Sequence, residues 1–239
     1  MKRFVLSLLL FGLFPVAAAE AQIYVKPDVA IRTIAAEGKA KENFVPKGWE
    51  IVSQAEGDLN GDKLIDAALT LGLTEDARGM LDNSENSCQS PPYIVIVLFA
   101  EPGGGYKRFA ANGKLYPPSC EDARPDLSIK NGVLVANHNW RDGWALDTTF
   151  RYRFDAAENR IMLIGFDLAH YSRSNVYEGT KTSENYLTGW RIIYAKSDHP
   201  KNSAFSEVKR EKFKPVKVAF ENSLMNEGKI GEGDEIRPF

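Results

Sequence analysis

The sequence predicts an all-β fold: two packed antiparallel sheets in a sandwich-like arrangement, with one short N-terminal helix and one disulfide. Three observations carry this. "LDTTFRYRFD" alternates strictly, Phe150, Tyr152 and Phe154 against Arg151 and Arg153, the period of a half-buried strand. Asn131-Gly132 stands between alternating residues in "DLSIKNGVLVANHNW", a strong two-residue hairpin signal. "YIVIVLFA", Tyr93 to Ala100, is apolar throughout and suits a central strand buried on both faces.

The remaining elements follow in order. "PDVAIRTIAAEGKAKENF" is the one stretch with a plausible helical pattern. "GWEIVSQA" and "AALTLGL" flank an aspartate-rich loop as strands, and "GYKRFAA" follows the glycines Gly103 to Gly105. "RIMLIGFDLAHYS" and "GWRIIYA" complete the set, all rich in aromatic and β-branched residues. From Lys196 the composition turns to mixed charge, with "KPVKVAF" as one candidate last strand, and "NEGKIGEGDEIRPF" has little to bury. The expected organisation is a leader over 1–21, one β-rich domain over 22–225 and a flexible tail over 226–239.

Lys2 and Arg3, the apolar run Phe4 to Val16 and the small residues of "VAAAEAQ" have the layout of a secretory signal peptide cut after Ala19 or, better, Ala21. The apolar run is short of the ~20 residues that cross a bilayer. A periplasmic or secreted location follows. The full chain has a net charge of −2, and losing Lys2, Arg3 and Glu20 takes this to −3. No basic excess suggests a nucleic acid partner, and no later stretch is long enough to span a membrane. Outside the cytosol, two cysteines are most simply a disulfide, Cys88 to Cys120, worth about 3.5–4 kcal/mol in the chain-entropy model.

"GDLNGDKLIDAALTL" carries the strongest chemistry. Asp58, Asn60, Asp62 and Asp66 occupy positions 1, 3, 5 and 9 of a calcium-loop pattern, with Leu64 at position 7 offering a backbone carbonyl. Calcium takes six to eight hard oxygen ligands, and short side chains at alternating positions of a tight loop converge on one centre. The opposing reading is a solvated acidic turn built on Asn60-Gly61. A two-residue turn there pairs Leu59 with Asp62 and Ala55 with Asp66, setting carboxylates on the apolar face, an expensive burial. A longer loop removes that conflict, and one Ca2+ site explains its four oxygen side chains.

"DLNGDKLID" resembles the loop of FG-GAP or VCBS repeats of integrin-alpha-type propellers, in which D-x-[DN]-x-D-G-x-x-D joins two strands and binds calcium. Lys63 stands where that pattern has glycine, at a position of positive φ that costs a side chain about 1 kcal/mol. One copy cannot form a propeller ring. "PKGW", "TTFRYRF", "LIGFD" and "NYLTGWRI" also look like signatures of a group of exported bacterial proteins, a likeness that implies no catalytic residue.

"NHNWRDGW" gathers His138, Trp140, Arg141 and Trp144 as a possible ligand surface, where paired tryptophans stack a sugar ring, against the plainer reading of a hairpin corner. The expected role is therefore a non-enzymatic, calcium-binding domain whose partner is a protein or glycan of the cell envelope. The alternatives are a polysaccharide or envelope hydrolase using Asp142 and Asp147, and an inhibitor or immunity protein.

Overall fold

The computed structural model describes residues 23, 25–81, 91–116, 125–141, 143–175, 177–196 and 204–223. The leader, Cys88, Cys120, Asp142 and the tail fall outside these residues, as does the expected disulfide.

The predicted two antiparallel sheets are present. The five-stranded sheet runs β1 (Glu37–Gly38), β5 (Tyr106–Asn112), β4 (Tyr93–Ala100), β3 (Asp66–Leu73), β2 (Trp49–Gly57). The seven-stranded sheet runs β12 (Phe205–Lys212), β11 (Trp190–Lys196), β10 (Gly179–Asn185), β9 (Arg160–Ser172), β8 (Trp144–Asp155), β7 (Val133–Arg141), β6 (Asp126–Lys130). Asn131 and Gly132, at φ 52° and 72°, form the two-residue turn between β6 and β7, where Lys130 pairs with Val133. Positive φ at both positions is the requirement that selects Asn-Gly.

β3 and β4 explain why "YIVIVLFA" lacks alternation. Tyr93, Val95 and Val97 face the seven-stranded sheet and pack with Leu134, Phe150, Tyr152 and Phe166. Ile94, Ile96 and Leu98 face the other way and pack with Ala30, Ile34, Phe44 and Ala77. The five-stranded sheet thus has a core on each side, the second supplied by the N-terminal segment. Each fully buried apolar side chain contributes about 1.5–3 kcal/mol, so a truncation such as Ile96→Ala costs about 2–5 kcal/mol.

The expected short N-terminal helix is α1 (Pro27–Thr33); the chain then turns extended, forms β1, and closes with a 3-10 turn over Lys41–Phe44. A second short helix, α2 (Glu75–Arg78), starts at Thr74, whose hydroxyl accepts the amide of Ala77. "KPVKVAF" is not a strand. It makes a bridge from Ala219 to Met162 and ends in a 3-10 turn, Phe220–Asn222, whose Phe220 is buried edge-on against Tyr152. Asn112 of β5 holds that turn by donating Nδ2 to the carbonyls of Phe220 and Ser223. The last strand is instead β12, "FSEVKREK", a charged edge whose residues are almost all exposed. Charge there blunts an open edge and also removes the apolar alternation that reveals a strand.

Candidate functional site

The acidic loop sits at one end of the sandwich. β2 and β3 pair down to Gly57 with Asp66, so the loop runs from Asp58 to Ile65, longer than the tight Asn60-Gly61 hairpin. Gly57 lies so close to β6 that a Cβ there would meet Ile129 Cγ2 at 2.6 Å. This close approach brings the loop beside the Asn131-Gly132 turn. The two, with Arg153 and Phe154 of β8, line an open groove of about 570 Å³.

Within the loop each oxygen side chain holds backbone. Asp58 accepts the amides of Gly61 (2.7 Å) and Lys63 (3.0 Å). Asn60 Oδ1 accepts the amide of Asp62 (2.9 Å), and Asp62 Oδ1 accepts that of Leu64 (2.8 Å). Asn60 Nδ2 also donates to Asp62 Oδ2 (2.9 Å). Lys63 takes φ 71°, the left-handed conformation that glycine supplies in the resembled pattern. The side chains do not converge: among the described residues no three of His, Cys, Asp or Glu are placed to share an ion.

Asp66 differs from its neighbours. It is fully buried, with Oδ2 accepting the amide of Leu59 (2.8 Å) and Oδ1 that of Ala100 (2.9 Å). One carboxylate thus ties the loop to the end of β4. Burial, offset by these amides and reinforced by the charge of Asp62, raises its pKa above the ordinary carboxylate value. Its described partners, with the amide of Asn60 also near, are all backbone amides; none is a cation.

The "NHNWRDGW" residues are split by strand alternation. His138 is buried, stacked on Tyr116 at 5.5 Å, and burial pulls its pKa down to about 4. Its Nδ1 has no hydrogen-bond partner, so it is a neutral packing residue. Trp140 packs against the inter-sheet core. Trp144 is 39% exposed and stacks on His170 at 4.7 Å. Arg141 alone reaches the outer face, ion-paired with Asp147 and set over the Tyr171 ring. The four do not form one surface.

Sequence reasoning missed what lies on that outer face. Asp147, Thr149, Asp167, Ala169, Tyr171, Lys181, Lys196 and Phe205 line a trough of about 410 Å³. They come from five strands at two-residue spacing, and β10 and β12 are too polar to be recognised as strands. The signal available was the alternation of β8, which sets Asp147, Thr149 and Arg151 on one face.

No protein-family model matches the chain, and no curated protein matches it. The likeness to FG-GAP and VCBS loops rests on the loop residues themselves.

Proposed function

We propose that this is an exported β-sandwich domain, periplasmic or secreted, whose Asp58–Asp66 loop binds one Ca2+ and whose role is binding or structural rather than catalytic. The observation that supports this most is Asp66: a fully buried carboxylate, next to a second acid, with backbone amides as its described partners. A divalent ion is the simplest way to relieve such a site. Asp58, Asn60, Asp62 and Asp66 would supply side-chain oxygens and Leu64 its carbonyl. Ligation requires Asn60 and Asp62 to release each other, and Asp62 is exposed, so the rearrangement is local.

The role of the ion is to organise the loop against the Asn131-Gly132 turn. At a free-ion level ten times Kd, one site adds about 1.4 kcal/mol of stability. The hydrolase reading has less support, because Asp147 is engaged by Arg141 and by the Tyr171 hydroxyl at 3.0 Å. Calorimetric titration of calcium into chelator-treated protein, repeated with Asp62→Ala, tests the site. Binding heat and a raised melting temperature, both lost in the variant, are expected. Silence in the wild type removes the site, and a signal that survives Asp62→Ala moves the ligands elsewhere.

A further inference from the structure

The trough on the outer face of the seven-stranded sheet combines three kinds of chemistry. Its floor is small: Thr149 of β8 and Ala169 of β9. Gly179 lies close against Tyr171, its register partner, where a Cβ would meet Tyr171 Cβ at 2.5 Å.

Its walls hold two ammonium groups. Lys196 Nζ lies 4.5 Å from the centre of the Tyr171 ring and 5.6 Å from that of Phe205, whose rings meet edge to face. Lys181 Nζ lies 5.7 Å from the centre of Tyr194. Both lysines are held on aromatic faces, and neither forms an ion pair with a described carboxylate.

The two acids of the trough are already matched. Asp147 is paired with Arg141 and accepts the Tyr171 hydroxyl at 3.0 Å. Asp167 accepts Arg151 Nη2 at 2.8 Å and the Ser183 hydroxyl at 2.6 Å. Counting both arginines, the site carries four cations against two carboxylates, an excess of two on a chain of net charge −2. The carboxylates keep spare lone pairs for hydroxyl donors. The Tyr171–Phe205 pair offers an apolar edge.

We infer that this trough binds an acidic saccharide: the sugar carboxylate between Lys181 and Lys196, ring hydroxyls on Asp147, Asp167 and Thr149, and an apolar patch of the sugar against the Tyr171–Phe205 edge. A bare inorganic anion would use the lysines alone and leave the acceptors and rings idle. A neutral sugar would leave the excess positive charge unanswered. The inference gives the proposed binding role a ligand class, and it uses no residue of the calcium loop.

The test is an amide-resolved NMR titration of the full chain with glucuronate, glucose and inorganic phosphate in parallel, at constant ionic strength, in chelator and in calcium. Saturable shifts at Thr149, Ala169, Tyr171, Lys181 and Lys196 are expected with glucuronate. Both glucose and phosphate should bind at least about tenfold more weakly. Lys181→Gln with Lys196→Gln should weaken glucuronate by about tenfold or more and leave the loop amides in place. These exposed-face substitutions leave the core intact, and the unchanged remainder of the spectrum verifies the fold. Equal binding of phosphate, no saturable shift with glucuronate, or full binding by the double variant each overturns the assignment. Failure of the calcium titration alone does not touch it.

Discussion

His138 makes the stability of this protein acid-sensitive by a calculable amount. The imidazole is 1% exposed, packed on Tyr116, with Nδ1 unbonded, so the charged form is poorly tolerated and burial lowers its pKa to about 4 from an unfolded value of 6.5. Between these values the unfolded chain binds the proton and the native chain does not. Stability is therefore fully present above pH 6.5 and is lost as pH falls toward 4. At 1.36 kcal/mol per unit, the loss is about 2 kcal/mol by pH 5 and about 3 kcal/mol below pH 4. For a chain of this size, 2 kcal/mol corresponds to roughly 4–8 °C in Tm. His138→Phe keeps an aromatic ring against Tyr116 and cannot titrate, so it isolates the effect. Guanidinium unfolding of both proteins from pH 7 to pH 4 should give curves that diverge by this amount. Curves that stay parallel through the window refute the reasoning, since any other titrating group is common to both.

Asp66→Ala leaves the buried amide of Leu59 and the partly buried amide of Ala100 unpaired and should cost about 2–5 kcal/mol in chelator, measured by chemical denaturation. In chelator, the raised pKa of Asp66 means its favourable contribution is present below pH 3.8 and is lost as pH rises through the native value. Saturating calcium should reverse that trend, and wild-type stability curves with and without calcium should separate as pH increases. Lys63→Val places a β-branched residue at φ 71° and should destabilise by about 1–2 kcal/mol, whereas Lys63→Gly should change stability by less than about 1 kcal/mol. Glu184 accepts Arg191 Nε at 2.7 Å and the Tyr186 hydroxyl at 2.8 Å in a largely buried setting, so Glu184→Ala should cost about 3–5 kcal/mol by thermal unfolding.

The sandwich was legible because its central strands announce themselves. β8 alternates by necessity, with one face in the core, and β4 is apolar throughout because each of its faces meets a different core. The ends of the seven-stranded sheet were not legible. "GTKTSEN" and "FSEVKREK" become strands through their neighbours' hydrogen bonds, and local sequence carries little of that. The N-terminal layer is legible as a short helix, α1, and not beyond it. Ala30, Ile34 and Phe44 all reach the same core, but through a helix, a bend and a 3-10 turn.

The acidic loop was legible in its length and in the left-handed residue at Lys63. The use of Asp58, Asn60 and Asp62 to hold their own loop's amides was not, because spacing fixes where a side chain starts and not which partner it takes. The division of His138, Trp140, Arg141 and Trp144 between faces has a simpler reason. Adjacent residues of a strand point to opposite faces, so Trp140 and Arg141 could not serve one surface.

The charged rim at β12 has a consequence for life at high concentration. A second copy aligning its own β12 alongside, in parallel and in step, would set Lys209 against Lys209, Arg210 against Arg210 and Lys212 against Lys212. Val208, 61% exposed, and the partly buried Phe205 are the greasy contacts such a union would gain. Fibril-like growth from this rim therefore begins uphill, and neutralising those three basic residues is the change most apt to set it in motion.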